Sequence, residues 1–189
     1  MKRSWIALAL AMAVLPLSAA MPTATASAES LNRSVSDSPV VASVAGSTHV
    51  LLGPATFGVT VQQDPLAYDA VRLADGRVGG HWRYDYYEAG VHLRFSGRVT
   101  CLAEHGNRAW VGGPIDATTD PTSVGLGAWW QVADLGSGRH PVVPDRTTFV
   151  GIGTLEATQA YCDTTPDPHF IFDVQSGGLV VKDHQAPGN

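Results

Sequence analysis

Lysine is nearly missing from this chain: Lys2 and Lys182 are the only two. Arginine does not make up the shortfall, since Lys and Arg together number 12 against 17 Asp and Glu, for a formal net charge of −5. No basic cluster interrupts this acidic balance. It speaks against nucleic acid as a partner, because binding there depends on Lys and Arg neutralising phosphates. It speaks equally against anionic membrane surfaces. Cysteine is scarce too, with two residues and no C-x-x-C pair, so redox and zinc patterns are missing. The seven histidines include no pair at i, i+2 or i, i+4, the spacing a transition-metal site would need. G-x-S-x-G, H-E-x-x-H, the P-loop and G-x-G-x-x-G do not occur. No metal and no cofactor is expected, and no motif names a catalytic residue.

Long apolar runs are lacking except at the start. Lys2 and Arg3 precede an apolar stretch from Trp5 to Leu17, and small residues follow up to Ala24-Thr25-Ala26-Ser27-Ala28. That order of charge, apolar run and small residues is the pattern of a secretory signal peptide over 1–28, with Ala26 as the other cleavage point. Pro16 cuts the run short of the roughly 20 apolar residues that a spanning helix needs. Arg3 has no arginine neighbour, which favours the general export route over the twin-arginine one. The expectation is a secreted, extracellular chain with no membrane association after cleavage.

Cleavage after Ala28 removes Lys2 and Arg3 and no acid, so the remaining chain is more acidic than the whole. Its length is that of one domain with a core of its own. Residues 29–43 are polar, Ser-rich and aperiodic and read as a disordered leader. Residues 44–184 read as a single β-barrel-like domain and 185–189 as a tail. In an exported chain the isolated pair Cys101 and Cys162 reads as one disulfide. It would close a loop of roughly 60 residues, worth about 4 kcal/mol by chain-entropy reasoning.

Glycine and proline are frequent and no helical period is sustained, which makes the class all-β. Asp75-Gly76 and Gly106-Asn107 are two-residue hairpin signals. The first sets Leu73 opposite Val78, and Val71 opposite Gly80. The second sets Ala103 opposite Trp110, and Cys101 opposite Gly112. Between them lie two alternating stretches. Apolar must meet apolar across a pair of strands, and a loop from Glu88 to Val91 then gives Asp85–Arg94, Tyr84–Phe95, Tyr86–Leu93 and Trp82–Gly97. Opposite charges and aromatic pairs each favour that register by about 0.2–1 kcal/mol. The result is a four-stranded antiparallel meander over 69–74, 77–87, 92–104 and 108–115. Gly97 is a bend in its long third strand. Further strands are expected at 45–52, 56–63, 126–134, 147–153, 169–174 and 178–182. The sheet would close into a barrel or barrel-like sandwich of about 8–10 strands. Ser176-Gly177-Gly178 reads as the last hairpin turn, 135–146 as a long loop, and 154–162 as a short helix carrying Cys162 to Cys101.

These hairpins put Trp82, Tyr84, Tyr86, Phe95, Cys101 and Trp110 on one inward face, with Trp130 joining them and Leu102 and Val111 as an outward apolar pair. Small barrels hold ligands in aromatic-lined interiors, although side chains alone can fill a barrel of this size. Trp82, Tyr84, Tyr86, Phe95, Trp110 and Trp130 are therefore the candidate lining of a ligand cavity. A second feature is the polar stripe His81, Arg83, Asp85, His92 and Arg94 on the outward face, which reads first as a solvated sheet face with ion pairs and otherwise as an anion-binding or acid/base patch. Two acidic loops, 116–120 and 163–167, lack any calcium-loop spacing and read as turns.

The stretches Leu73-Ala74-Asp75-Gly76-Arg77-Val78 with Gly80, Gly97-Arg98-Val99-Thr100-Cys101-Leu102 and Gly106-Asn107-Arg108-Ala109-Trp110-Val111-Gly112-Gly113 carry a likeness. Over roughly 70–115 the chain resembles a family of small secreted β-rich proteins from high-GC Gram-positive bacteria. The resemblance implies a β-rich fold, export and a bacterial source. That family has no assigned activity, so no catalytic residue carries over. The leading expectation is a non-enzymatic binding domain, taking a small apolar ligand inside or a protein at a loop end. An alternative is an enzyme of the barrel cyclase or isomerase kind, with Tyr84 and Tyr86 as polar groups in a cup shaped by Trp82 and Trp110. A third is a structural envelope or matrix component.

Overall fold

Along the longest strands apolar side chains recur at every second position, so each strand buries one face. β1 (Val40–Leu52) buries Ala42, Val44 and Val50, β2 (Val61–Leu73) buries Leu66, Tyr68 and Ala70, and β3 (Val78–Glu88) buries Trp82 and Tyr84. The computed structural model describes residues 38–53, 60–136, 143–168 and 171–183, all within the unit Asp37–Asn189. The expected signal peptide, residues 29–37 of the leader, the expected tail and parts of the expected elements at 56–63, 135–146 and 169–174 lie outside the described residues. β1 begins at Val40, inside the segment expected to be leader.

Twelve strands are described, and every pairing among them is antiparallel. To β1, β2 and β3 are added β4 (Val91–Arg98), β7 (Ala117–Thr118) and β12 (Ser176–Asp183), in the order β12-β1-β2-β3-β4-β7. The second sheet runs β11-β9-β8-β6-β5, made of β5 (Cys101–His105), β6 (Arg108–Pro114), β8 (Gly127–Ala133), β9 (Arg146–Thr147) and β11 (Phe172–Asp173). β10 (Gly151–Gly153) also pairs with β8. The class is all-β as expected. Among the described residues neither sheet closes on itself, and the expected barrel or barrel-like sandwich is seen as two antiparallel sheets. They share one core, in which the Trp130 ring lies 5.6 Å from that of Tyr68 and 5.7 Å from that of Trp82.

The expected four-stranded meander is broken at Val99-Thr100. The Val99 N–H donates to Gly80 O in the first sheet and the next N–H, of Thr100, to Gly112 O in the second. One long strand over 92–104 is thereby split into β4 and β5, which belong to different sheets. The crossing requires close backbone approach. A Cβ on Gly97 would sit 1.9 Å from Pro114 O, and one on Gly113 would sit 1.9 Å from Arg98 O. Phe95 and Val99 face the core, but the next core residue is Leu102, three positions on. That odd step reverses every later side chain. Leu102 and Val111, expected outward, are in the core. Cys101 and Trp110, expected to face Trp82, lie on the opposite side of the second sheet.

Two pairings differ from expectation in detail. At Asp75-Gly76 the loop has three residues. The Leu73 N–H donates to Arg77 O, and Gly76 takes a φ of 86°. The pairs are therefore Arg72–Val78 and Ala70–Gly80, one residue away from the expected register, and Tyr68 rather than Val71 faces inward. Between β3 and β4 the expected pairs Trp82–Gly97, Tyr84–Phe95, Asp85–Arg94 and Tyr86–Leu93 all form. Glu88 and Val91 also pair, so the turn itself is Ala89-Gly90. The Gly106-Asn107 hairpin has the expected partners. Ser176-Gly177-Gly178 is not a turn; it opens β12 and pairs with His49, Thr48 and Ser47 of β1.

The outer side of the second sheet is covered by α1 (Leu155–Thr164), capped by Thr154, whose hydroxyl accepts from the Ala157 N–H at 3.1 Å. The expected disulfide Cys101–Cys162 joins this helix to β5. At the other margin two carboxylates take the place of a strand. Asp134 and Asp145 accept from the N–H groups of Val181 and Leu179 on β12, each at 3.2 Å, and from those of Gly136 and Leu135. They satisfy an edge that would otherwise be open to pairing with another chain.

Candidate functional site

The two sheets part where β3 and β4 face the segment that joins β9 to β10 beside β8, and a bulge there opens a cleft. Val132 pairs with Thr147 and Trp129 with Gly151. Between those pairs β8 has Gln131 and Trp130, whereas the partner has Thr148, Phe149 and Val150. Thr148 holds the extra residue in place: its N–H donates to Gln131 O at 3.0 Å and its hydroxyl accepts from the Gln131 N–H at 2.9 Å. A bulge of this kind re-aims side chains. Phe149 and Val150, with Ile152 beyond them, form one wall of the cleft, and Tyr84, Tyr86, Leu93 and Phe95 form the other.

The cleft has a volume of about 220 Å³ and its lining carries no charge. Tyr84 stacks on Phe95 with ring centroids 5.9 Å apart and meets Tyr86 at the same distance. The polar side-chain groups of the lining are the two phenols. The Tyr86 hydroxyl donates to Glu88 Oε2. Loss of water around Tyr86, reinforced by that bond, pushes its pKa up to about 12. Burial raises that of Tyr84 further, with Tyr86 and Glu88 adding to the shift. Both phenols stay protonated at neutral pH.

Of the six residues expected to line a cavity, Tyr84, Tyr86 and Phe95 come together here. Trp82 and Trp130 lie deeper, packed on each other in the core. Trp110 is on the far side of the second sheet, where its indole N–H donates to Pro166 O at 2.9 Å. A cup shaped jointly by Trp82 and Trp110 therefore does not form. Phe149, Val150 and Ile152 escape sequence reasoning because regular alternation over 147–153 hides the extra residue. The acidic loops are occupied internally: Asp116 pairs with Arg98, Asp167 pairs with Arg108, and Asp120 accepts from Thr122 and Ser123. Asp163 accepts from Gln159. Among the described residues no three His, Cys, Asp or Glu side chains group as a metal site, and no helix is long and apolar enough to cross a membrane.

Tyr68, Tyr84, Tyr86 and Tyr161 all have raised pKa values, with burial the largest cause in each. A phenol that ionises at higher pH when folded contributes stability that is complete below its unfolded pKa of about 10. That contribution is lost as pH rises through the folded value. Tyrosinate absorbance of the native protein should therefore lag behind that of the denatured chain above pH 10. Tyr86 and Tyr161 should titrate near pH 12, and alkaline unfolding should accompany Tyr68 and Tyr84. Four phenols ionising near pH 10 with the fold intact would contradict the burial described. No family model, no curated protein and no solved structure matches this chain.

Proposed function

We propose that this chain is a secreted binding domain that holds a small apolar molecule in the cleft between β3, β4 and the bulged segment. The observation that carries this reading is the uncharged cleft of about 220 Å³ with Tyr84, Tyr86 and Phe95 on one wall and Phe149 on the other. Its size selects the ligand. An apolar cavity of about 150 Å³ takes up benzene, whereas drug-sized ligands need about 300–1,000 Å³. A substituted ring or a short branched chain fits. Binding is favoured over chemistry because two protonated phenols supply neither base nor nucleophile at neutral pH. The disulfide supports export to an oxidising compartment, as does the order of residues 1–28.

The test is titration with 4-ethylphenol and n-hexanol, followed by calorimetry and by the aromatic NMR signals of Tyr84 and Phe95. Ligands this small should bind with Kd between about a millimolar and some tens of micromolar. Ile152 is 40% exposed at the mouth, so Ile152→Asp should fold normally yet weaken binding about tenfold by placing a charge against the ligand. No binding at millimolar concentration, or binding untouched by Ile152→Asp, would remove the cleft as the site.

A further inference from the structure

We infer that the outer face of β3 and β4 carries a second binding site, built on Arg83 and Arg94, for an oxyanion borne on a hydroxylated, saccharide-like body. The starting point is an imbalance of charge in an acidic protein. Arg72, Arg77, Arg98, Arg108 and Arg146 each pair with a carboxylate of their own. Arg83 and Arg94 instead share Asp85. Arg83 Nη2 lies 2.8 Å from Asp85 Oδ2, and Arg94 Nε lies 3.5 Å from Oδ1, where His92 Nε2 also approaches to 3.4 Å. One carboxylate thus faces two guanidinium groups and an imidazole.

Their exposures give them different parts to play. The Asp85 side chain is only 5% exposed, while those of Arg83 and Arg94 are 60% and 59% exposed. Asp85 Oδ2 accepts from Arg83 and orients it from beneath, Arg94 Nε donates to His92 Nε2 at 3.5 Å beside the same carboxylate, and the outer nitrogens of both arginines remain available to a ligand. Both terminal nitrogens of Arg94, and Nη1 of Arg83, have no partner among the described residues. A pair of forked donors on a fixed base is the arrangement that recognises planar or tetrahedral oxyanions.

The surroundings select what bears the anion. A depression of about 370 Å³ adjoins the two arginines, and Ser96, Ala117, Thr118 and Thr119 also line it. That is far more room than a bare oxyanion fills, and the hydroxyls of Ser96, Thr118 and Thr119 stand in its wall among apolar surface that includes Phe95 and Ala117. The Thr119 hydroxyl accepts from the Arg94 backbone N–H at 3.0 Å, which fixes the wall to the strand carrying the arginine. Two positions along the same face, Tyr87 stacks on His92 at 4.0 Å and is 37% exposed. Tyr87 lines a neighbouring depression with Gln62 and Glu88, so its ring offers a flat apolar surface to the C–H face of a sugar that extends past Arg94 and His92. The site faces away from the apolar cleft, because Arg83 and Arg94 alternate with Tyr84, Tyr86 and Phe95.

The experiment is calorimetric titration of the full protein with glucuronate, glucose and inorganic sulfate at low salt. Glucuronate should bind more tightly than either of the others, and added salt should weaken it. Arg83→Gln and Arg94→Gln should each weaken it about tenfold or more, the effect of losing a charge-assisted hydrogen bond. Should Arg94→Gln fail to fold, Arg94→Lys keeps the charge, removes the fork and is expected to weaken glucuronate several-fold. Sulfate binding as tightly as glucuronate would overturn the saccharide-like body. No glucuronate binding at about 10 mM, or binding insensitive to the arginine substitutions, would overturn the site.

Discussion

Replacing Trp130 by alanine should lower the unfolding free energy by about 3–5 kcal/mol, the usual cost of removing a large buried aromatic side chain. Trp130 is 0% exposed, and its ring contacts Tyr68 and Trp82 across the gap between the sheets. The loss has two parts, the apolar area returned to water and the hole left behind. The hole cannot collapse easily, because both sheets are fixed by their own hydrogen-bond ladders. The indole N–H of Trp130 has no hydrogen-bond partner among the described residues, so the substitution sacrifices packing and no hydrogen bond. Trp130→Phe separates these effects. It keeps most of the ring, removes a buried unpaired donor that itself costs about 1–3 kcal/mol, and should lose less than half as much as the alanine variant. Urea unfolding of both variants is the measurement. A loss below about 1 kcal/mol for Trp130→Ala would mean that this ring does not join the two sheets.

What the sequence made legible follows from the range of the interactions concerned. Between β3 and β4 the register could be derived because Asp85–Arg94 and Tyr84–Phe95 are neighbours across a short turn, and few alternatives satisfy both charge and apolar face. The Gly106-Asn107 hairpin was legible for the same reason. The disulfide followed from having only one possible partner for each cysteine. Among the irregularities that were not legible, three decide which side chains meet, and each is a change of parity. At Val99-Thr100 the chain passes between sheets. At Asp75-Gly76 the turn takes an extra residue. At Thr148–Val150 a bulge does the same. Period-two patterning records which residues alternate, and it carries no mark where the phase slips. The sheet crossing did leave one trace. An outward apolar pair, Leu102 opposite Val111, sits poorly on a solvated face, and the slip puts both in the core. The pairing of β12 with β1 joins distant parts of the chain, and no local turn signals it.

For the candidate site the division is similar. Tyr84, Tyr86 and Phe95 were identified because local pairing places them together. The opposite wall depends on how the second sheet lies over the first, which no spacing in the sequence encodes. The same holds for the outer face of β3 and β4. Its residues were read correctly as one stripe. That two arginines share a single buried carboxylate emerges only when side chains are placed.

Removing the disulfide with the double substitution Cys101→Ala and Cys162→Ala should cost about 4 kcal/mol at most, and α1 should respond before any strand. The upper figure follows from closing a loop between residues 61 apart in the unfolded chain. The reason for the local response lies in the helix itself. It buries only Thr158 and Cys162, and Leu155 is exposed. Tyr161 rests on Trp129 with ring centroids 6.1 Å apart, which leaves one half-buried ring as the main apolar contact of the helix. An isolated ten-residue helix is marginal in water. Without the covalent tie its docking rests on that contact and on Trp110 donating to Pro166 just beyond it. Amide exchange should therefore quicken across Leu155–Thr164 while β2 and β3, inside the first sheet, keep their protection. Trp110 and Trp129 lie beneath the same cover, so tryptophan fluorescence should shift to longer wavelength under native conditions. Unchanged helix protection in the double variant would show that packing alone docks α1, and the cysteines would then act only on the unfolded chain. Uniform loss of protection over all strands would show that the second sheet depends on the helix for its own stability.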